Sequence, residues 1–284
     1  MNNPFAVHSR EFENFLYVYP VISRRSEGLS IGINLSLRKE CNFDCPYCQV
    51  DRTHILEKDR SVKFEILEKE IHSIVQAALS GELWKHSRFV NTKAEFRQIK
   101  DIAISGDGES TTSKYFLDTA KLVLEIVEQY QKQNLKIAPV VITNATMLHK
   151  QEIQEVLLRM ITLGGGPWVK LDAGTEEEFK RVAETKISYS KILENILSFS
   201  RLTPVILQTI QFYFPNKTLS FTLKPFIQRL NELQSQGAKF NYIQLYTLAR
   251  DTKIKELNPL TKEELSYSAE AIQKETGILV KVYP

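Results

Sequence analysis

The three cysteines of this chain stand close together in the sequence. They are Cys41, Cys45 and Cys48, all within the stretch CNFDCPYCQV, and the 284-residue chain has no others. An odd number of thiols in one short stretch cannot form a closed set of disulfides. Three closely spaced thiolates suit a tetrahedral metal ion, or an iron–sulfur cluster in which one iron has no protein ligand. The stretch therefore predicts a metal centre.

Two other interpretations of the cysteine stretch remain open from the residues alone. A structural zinc ion would take His54 as its fourth ligand, although such sites usually close with a second pair of ligands. Alternatively, the cysteines are buried and bind nothing. Asn42, Asp44 and Pro46 argue against that alternative, because they make the stretch polar and turn-like.

The composition is that of an ordinary folded globular chain. Hydrophobic residues make up 43% and charged residues 25%, and the formal net charge is +3. This mildly basic balance permits an acidic partner, but it lacks the concentrated basic stripe typical of nucleic-acid-binding proteins. The chain has no run of eighteen apolar residues, and its N-terminus lacks a signal-peptide pattern. We therefore expect a soluble, cytoplasmic protein that does not bind membranes.

Apolar runs rich in β-branched residues recur along the chain and predict buried strands. The six runs are residues 29–35, 101–105, 139–143, 168–172, 205–212 and 242–247. Between them lie segments with apolar residues at helical spacing, such as 67–78. Thr175 with Glu178 and Thr261 with Glu264 have the spacing of capping boxes, which mark helix starts.

Strands that alternate with helices are expected to run parallel with right-handed crossovers. Six such units form either an open doubly wound sheet or a curved partial barrel, and both gather functional side chains at the strand C-terminal ends. Residues 15–25 and 278–284 predict additional strands near the termini. The polar, basic stretch 84–100 is either an insertion or part of a longer helix.

We expect one domain covering residues 1–284. Its core is expected over about 29–250, with an N-terminal edge segment at 1–28 and a C-terminal helix and strand at 251–284.

Polar residues follow the second and third predicted strands. Gly106, Asp107, Gly108 and Glu109 follow the second strand, and the glycines would let a ligand approach the backbone closely. By itself, this segment is more typical of a simple tight turn than of a ligand-binding site. Asn144 follows the third strand, where it either faces a ligand or merely turns the chain.

Two charged residues lie at the end of the fourth predicted strand. Alternation along the strand places Lys170 and Asp172 on the face opposite Val169 and Leu171. Buried charges need partners, so we expect the two residues to pair with each other or with Glu109. In either arrangement they would lie beside a reacting centre, and we predict a catalytic role for both.

An arginine follows the sixth predicted strand. Arg250 is a candidate for binding an anionic substrate group through bidentate hydrogen bonds, and a solvated loop cation is the alternative. On the fifth and sixth strands, Gln208, Gln244 and Tyr246 are candidates for lining a cavity.

The cysteine spacing, with Tyr47 directly before Cys48, closely resembles the CxxxCx-aromatic-C motif of the radical S-adenosylmethionine superfamily. The resemblance implies that the three cysteines hold a [4Fe–4S] cluster and that S-adenosyl-L-methionine binds the remaining iron. It also implies reductive cleavage of S-adenosylmethionine to a 5′-deoxyadenosyl radical, which abstracts hydrogen from a substrate.

The stretch 106–109 is similar to the glycine-rich turn, often Gly-Gly-Glu, that follows the second strand in this family. Asp107 interrupts the glycine pair, and Ser110 stands where the family often has proline. The resemblance implies that this turn and Asn144 hold S-adenosylmethionine and that Tyr47 borders its adenine. Of the two architectures above, we expect a partial (β/α)6 TIM-like barrel with parallel strands, the cluster loop after the first strand, and small extra strands at the termini.

Four stretches together resemble the wyosine-type tRNA-modifying branch and its uncharacterised bacterial relatives. They are residues 28–50, 105–111, 143–146 and 169–179. Known wyosine synthases carry further N-terminal cysteines for a second cluster, which this chain lacks. We therefore expect a single-cluster radical enzyme that acts on an unidentified small molecule, tRNA or protein and receives electrons from a flavodoxin- or ferredoxin-like donor. The alternatives are a wyosine-like tRNA-base-modifying enzyme, a glycyl-radical-enzyme activase and a non-catalytic three-cysteine metal-binding module.

Overall fold

The computed structural model describes residues 12–50, 52 and 61–284. His54, the alternative zinc ligand, lies outside these residues. The chain divides into two compact units. The first unit comprises Met1–Glu40, Ile55–Ile142 and Glu155–Gly166, and the second comprises Cys41–His54, Thr143–Gln154 and Pro167–Pro284. The expected single domain stays a prediction.

Ten strands and seven α-helices make up the described part of the chain. The strands are β1 Val18–Ser23, β2 Gly28–Ile33, β3 Ile99–Ile104, β4 Ala138–Thr143, β5 Gly166–Lys170, β6 Val205–Ile210, β7 Phe212–Tyr213, β8 Phe240–Tyr246, β9 Asn258–Pro259 and β10 Val280–Tyr283. The helices are α1 Phe64–Ser80, α2 Phe116–Lys132, α3 Gln151–Thr162, α4 Glu176–Ala183, α5 Tyr189–Ser200, α6 Leu223–Ser235 and α7 Lys262–Thr276. All six predicted buried strands and both terminal strands are therefore present.

In the first unit, β1 pairs antiparallel with β2, and β2, β3 and β4 run parallel. The apolar side chains of these strands and of one face of α1 are buried, as the periodicity predicts. A buried carboxylate fixes the start of β1, because Glu70 accepts hydrogen bonds from the backbone N–H groups of Leu16, Tyr17 and Val18 at 2.7 to 3.1 Å.

In the second unit, β5, β6, β8 and β10 run parallel. Helix α4 begins with the predicted capping box: Thr175 Oγ1 accepts from the Glu178 N–H at 3.1 Å, and Glu178 Oε2 accepts from the Thr175 N–H at 3.2 Å. The other Glu178 oxygen accepts from the N–H and the hydroxyl of Thr222, directly before α6. One buried carboxylate thus holds the starts of two helices.

These elements confirm the predicted fold class. Within each unit the strands are mostly parallel, helices separate most of the strands along the chain, and β1 and β10 are the extra strands expected near the termini. The stretch 84–100 does not extend a helix: the chain there forms short 3₁₀ turns at Glu82–Lys85 and Ala94–Phe96 before β3 begins. Among the described residues, no helix combines the length and apolar character needed to cross a membrane.

A buried carboxyl group lies on β3 in the first unit. Asp101 is 2% exposed and accepts a short hydrogen bond from the hydroxyl of Ser30 on β2. Burial raises the pKa of Asp101 from 3.8 to about 6, although Ser26, Ser30 and the charge of Arg25 act in the opposite direction. The folded state therefore binds this proton more tightly than the unfolded state does, and ionisation of Asp101 lowers stability.

Asp101→Asn should change how stability depends on pH. In the wild type, the penalty for the buried charge is absent below the unfolded pKa of 3.8, grows as pH rises and is complete above about 6. Between about pH 4 and pH 7, the free energy of unfolding of the variant should therefore rise by about 3 kcal/mol relative to wild type. Urea unfolding at a series of pH values measures this difference.

The matched control is Asp118→Asn, because Asp118 is an exposed carboxylate near Lys121. Its stability relative to wild type should stay within about 0.5 kcal/mol across the range. A difference between Asp101→Asn and wild type that does not vary with pH would contradict the assignment.

Candidate functional site

The cysteine loop follows β2 along the chain, as expected. Cys41, Cys45 and Cys48 are partly exposed, and none forms a disulfide. The N–H of Cys48 donates to the carbonyl of Cys45 at 2.9 Å, which closes a turn, and the N–H of Phe43 donates to the sulfur of Cys41 at 3.5 Å. The three cysteines therefore lie in a hydrogen-bonded loop, and their sulfurs are not joined in disulfides.

The surroundings of Cys45 disfavour a free thiolate. Burial raises the pKa of Cys45 to about 12, while the charge of Lys170 and a hydrogen bond from Tyr47 act in the opposite direction. The thiol is therefore neutral in the metal-free chain, and metal binding would replace its proton. The nearby cation favours the thiolate form that a metal needs.

No three His, Cys, Asp or Glu side chains in the described part of the chain surround a position for a single metal ion. A [4Fe–4S] cluster makes a different demand, because each thiolate binds a different iron and the sulfurs need not converge on one atom. Three cysteines on one loop, none in a disulfide, fit the donor set of such a cluster.

Asn144 is tied to the cysteine loop. Its Nδ2 donates to Asn42 Oδ1 at 2.8 Å, Asn42 Nδ2 donates to Thr146 Oγ1 at 3.1 Å, and Thr146 Oγ1 donates to Asn144 Oδ1 at 2.5 Å. Asn195 of α5 holds this segment by donating to the Thr146 carbonyl at 2.7 Å. Asn144 thus orients the residue that follows Cys41, and its predicted contact with a cofactor stays a prediction.

A cleft of about 310 Å³, counting its part open to solvent, lies beside the cysteine loop in the second unit. Its lining consists of Phe43, Tyr47, Asn144, Lys170, Leu171, Asp172, Phe179, Val182, Ala183 and Ile192. Four of the predicted site residues therefore share this cleft: Tyr47, Asn144, Lys170 and Asp172. The remaining lining is apolar and comes mainly from α4 and α5.

A network of charged and phenolic groups forms one wall of the cleft. Lys170 Nζ lies 3.2 Å from Asp172 Oδ2, which confirms that the two residues pair with each other. The hydroxyl of Tyr47 donates to the same Asp172 oxygen at 2.6 Å, and the N–H of Ile210 donates to the other at 2.9 Å. Lys170 also donates to the hydroxyl of Tyr246 at 2.8 Å.

Lys170 lies between two aromatic rings. Its ammonium nitrogen is 5.2 Å from the ring centroid of Tyr47 and 5.3 Å from that of Tyr246, within the range of cation–π attraction. Burial opposes the charge, but Asp172 and Tyr246 outweigh it and raise the pKa of Lys170. Burial, followed by the charge of Asp172, raises the pKa of Tyr47. Lys170 therefore stays protonated and the Tyr47 phenol stays neutral.

The glycine turn after β3 belongs to the first unit. A Cβ at Gly108 would lie 1.9 Å from the carbonyl oxygen of Glu40, the residue before Cys41, and a Cβ at Gly106 would lie 2.3 Å from Asn34 Oδ1. Asp107 between them donates its N–H to Asn34 Oδ1 at 3.1 Å and accepts from Asn34 Nδ2 at 2.8 Å. The glycines therefore allow the turn to pack against the segment that leads to the cysteines.

Glu109 is buried, and part of its hydrogen-bonding capacity is used locally. Its Oε1 accepts from the N–H of Thr111 at 3.2 Å and from the Thr111 hydroxyl at 2.5 Å, which caps a short 3₁₀ turn. The expected contacts of Glu109 and of residues 106–108 with S-adenosylmethionine stay predictions.

The residues proposed for the fifth and sixth predicted strands have different positions. Gln208 on β6 and Gln244 on β8 are buried in register and joined by a hydrogen bond of 3.2 Å. Arg250 is partly buried in the loop after β8 and is not among the residues that line the described cleft. Its role with an anionic substrate stays a prediction.

Asn42, Phe43 and Phe179 were not predicted as site residues. Asn42 and Phe43 occupy variable positions of the cysteine motif, and Phe179 stacks edge-on against Phe43 with ring centroids 5.8 Å apart. The available signals were the resemblance of the stretch 169–179, which ends at Phe179, and the apolar character of Phe179 in the first turns of α4.

Lys170→Met should be strongly destabilising. The substitution leaves the buried carboxylate of Asp172 without its cation, and we expect a loss of about 3–5 kcal/mol in the free energy of unfolding. The double variant Lys170→Met/Asp172→Asn removes both charges and should recover at least half of this loss. Urea unfolding of the metal-free protein provides the measurement.

Lys191→Met is the surface control, because Lys191 pairs with Glu194 across 3.9 Å on the exposed side of α5. We expect this substitution to cost less than about 1 kcal/mol. If Lys170→Met were as stable as this control, the Lys170–Asp172 pair would not hold the wall of the cleft.

Gly108→Ala tests the close approach of the glycine turn. The new Cβ would meet the Glu40 carbonyl, so the turn or the preceding segment must move, at a cost of about 2–3 kcal/mol. Gly81→Ala is the control, because Gly81 has a φ of +88° but open space around it, and backbone strain alone should cost about 1 kcal/mol. Equal costs in urea unfolding would contradict the steric argument.

Comparison with known proteins gives distant relatives. No protein-family model matches the chain. It is 26% identical over 270 residues to GTPase Obg of Brachyspira hyodysenteriae, 27% over 194 residues to a UPF0026 protein of Helicobacter pylori and 24% over 266 residues to a UPF0026 protein of Synechocystis sp.. These alignments cover 93%, 67% and 93% of this chain. The alignments cover 34%, 54% and 83% of the lengths of those relatives. The chain therefore spans only about a third of the first relative and about half of the second.

Solved structures share the fold. A structure of TYW1 with a lysine–pyruvate adduct bound aligns with a TM-score of 0.54 and 18% identity, covering 86% of this chain and 73% of TYW1. HydG, a maturase of the [FeFe]-hydrogenase, aligns with a TM-score of 0.55 and 12% identity, covering 85% of this chain and 48% of HydG. At these identities the likeness shows a shared fold.

Proposed function

We propose that this chain is a radical S-adenosylmethionine enzyme with one [4Fe–4S] cluster bound by Cys41, Cys45 and Cys48. The observation that carries the proposal is the placement of three cysteines, none in a disulfide, on a hydrogen-bonded loop beside a cleft with a buried charged wall. The fold shared with TYW1 and HydG supports the class.

When bound, the cluster supplies the electron that cleaves S-adenosylmethionine to methionine and a 5′-deoxyadenosyl radical. The residues of the chain provide binding, orientation and exclusion of water. Leu171, Phe179, Val182 and Ile192 give the cleft an apolar surface, which keeps competing hydrogen donors away. In this proposal, Asn144 and the turn at 106–109 bind S-adenosylmethionine.

The proposal assigns Lys170, Asp172 and Arg250 to the substrate side of the site. The pairing with Asp172 raises the pKa of Lys170, and the ammonium form can donate hydrogen bonds or attract an anion. The lysine–pyruvate adduct belongs to the TYW1 structure. Arg250 is the candidate contact for an anionic substrate group.

The substrate and the electron donor complete the proposal. We propose that a flavodoxin- or ferredoxin-like protein donates the electron. The candidate substrates are a small molecule, a tRNA and a protein. A tRNA-base-modifying activity is the second candidate, and the fold shared with TYW1 favours it over the glycyl-radical activase.

Anaerobic reconstitution with iron and sulfide tests the proposed reaction. After reduction with dithionite, the wild-type protein should convert S-adenosylmethionine to 5′-deoxyadenosine and methionine, measured by chromatography. Replacement of Cys41, Cys45 or Cys48 by alanine should reduce 5′-deoxyadenosine to background, because the cluster loses one of its three protein ligands.

Gln49→Ala is the matched control, because Gln49 is an exposed loop residue next to Cys48. It should retain wild-type cleavage. Circular dichroism and urea unfolding should show that the cysteine variants remain folded. Retained cleavage in all three variants would contradict the cluster assignment, and stoichiometric zinc in place of iron would favour the non-catalytic metal-binding module.

A further inference from the structure

The backbone of the cysteine loop is held by other segments of the second unit. Four of its carbonyl groups accept hydrogen bonds from residues far away in the sequence. The pairs are Asn42 with the Thr185 hydroxyl at 2.8 Å, Asp44 with Lys253 Nζ at 3.3 Å, Pro46 with the Ile254 N–H at 3.1 Å and Cys48 with the Lys253 N–H at 2.8 Å. The loop thus depends on residues 185 and 253–254 for its conformation.

Lys253 makes two of these four contacts. Its ammonium group lies 2.7 Å from Asp44 Oδ2 and 3.1 Å from Glu184 Oε2, in addition to its bond with the Asp44 carbonyl. Its backbone N–H binds the carbonyl of Cys48. One residue therefore joins both ends of the segment that contains Cys45 to the end of α4.

The end of α4 is shaped to take part in this arrangement. Glu184 has a φ of +43°, in the left-handed region that non-glycine residues rarely adopt, and it terminates α4. The preceding carbonyl, that of Ala183, accepts the N–H of Asp44 at 3.0 Å. A strained backbone conformation persists only when its surroundings hold it, and here the ion pair with Lys253 supplies one such contact.

We propose that Lys253 is a positioning residue that holds the cysteine loop in its metal-binding conformation before the metal arrives. The proposal rests on the proposed function only in taking the three cysteines as the cluster ligands. A loop that is already ordered loses less conformational entropy on binding, so preorganisation increases affinity for the cluster. The contacts of Lys253 involve no cysteine side chain and are present in the metal-free chain.

Lys253 also balances charge beside the metal ligands. Asp44 and Glu184 bring two negative charges to the loop, and Lys253 opposes them together with Arg52, which lies 3.6 Å from Asp44. Loss of the Lys253 cation would leave excess negative charge next to a cluster that becomes more negative on reduction. Reduction of the cluster would then be less favourable, and the midpoint potential of the cluster would shift to a more negative value.

Hydrogen exchange on the full-length, metal-free protein tests the positioning role directly. In Lys253→Met, amide exchange in a peptide covering residues 42–48 should be about tenfold faster than in wild type, because the loop opens more often. Lys253→Arg keeps the cation and should restore most of the protection. The control Lys255→Met removes a nearby exposed lysine that has no ion pair among the described residues, and exchange should be unchanged.

Exchange at wild-type rates in Lys253→Met would overturn the proposal. A second measurement uses reconstituted protein, in which Lys253→Met should bind fewer equivalents of iron at limiting iron and show the negative shift in midpoint potential. Normal iron uptake and an unchanged potential would also count against the positioning role. If the wild type forms no cluster, the proposed function fails, whereas faster exchange in metal-free Lys253→Met would still support the role of Lys253 in ordering the loop.

Discussion

A loop without regular secondary structure has to satisfy its backbone polar groups through partners elsewhere, and this constraint governs the cysteine loop. The chain meets it with contacts of high sequence separation: Thr185 binds the Asn42 carbonyl, and residues 253–254 bind the carbonyls of Pro46 and Cys48. Asn144 adds side-chain support at Asn42. Order in the loop is therefore a property of the whole second unit, and the local sequence alone does not produce it.

The charged wall of the cleft meets a related requirement by different means. A buried ammonium and a buried carboxylate lose hydration, which is costly unless each is paired and hydrogen-bonded. Asp172 forms an ion pair with Lys170 and accepts hydrogen bonds from the Tyr47 hydroxyl and the Ile210 N–H. Lys170 also donates a hydrogen bond to Tyr246 and lies over the rings of Tyr47 and Tyr246. The network also ties Tyr47, and through it the aromatic position of the cysteine motif, to β5. The proposed chemistry and the stability of the cleft wall therefore depend on the same atoms.

Local and periodic patterns made much of the fold predictable. Buried strands show as apolar runs, Thr175 and Glu178 mark a helix start because capping is a contact across three residues, and strand alternation placed Lys170 and Asp172 together. The cysteine site could be proposed from the sequence because the spacing of its three cysteines is local, and its metal-binding role stays a prediction. Lys253 was not predictable, since it meets Asp44 across 209 positions and no periodicity links them. The short 3₁₀ turns within 84–100 were also not predictable, because they lack the helical spacing of apolar residues.

The carboxylate of Glu178 has a consequence for motion in the second unit. One of its oxygens binds the start of α4 and the other binds Thr222, directly before α6, so neither helix start can detach without leaving buried donors unpaired. The two starts are therefore expected to open as one cooperative unit. Phe179 and Val182 of α4 line the cleft. Movement of α4 away from the cleft would therefore have to involve α6, although α6 contributes no side chain to the lining described for the cleft. Access to the cleft would then depend on the stability of a distant helix as well as on the size of the opening.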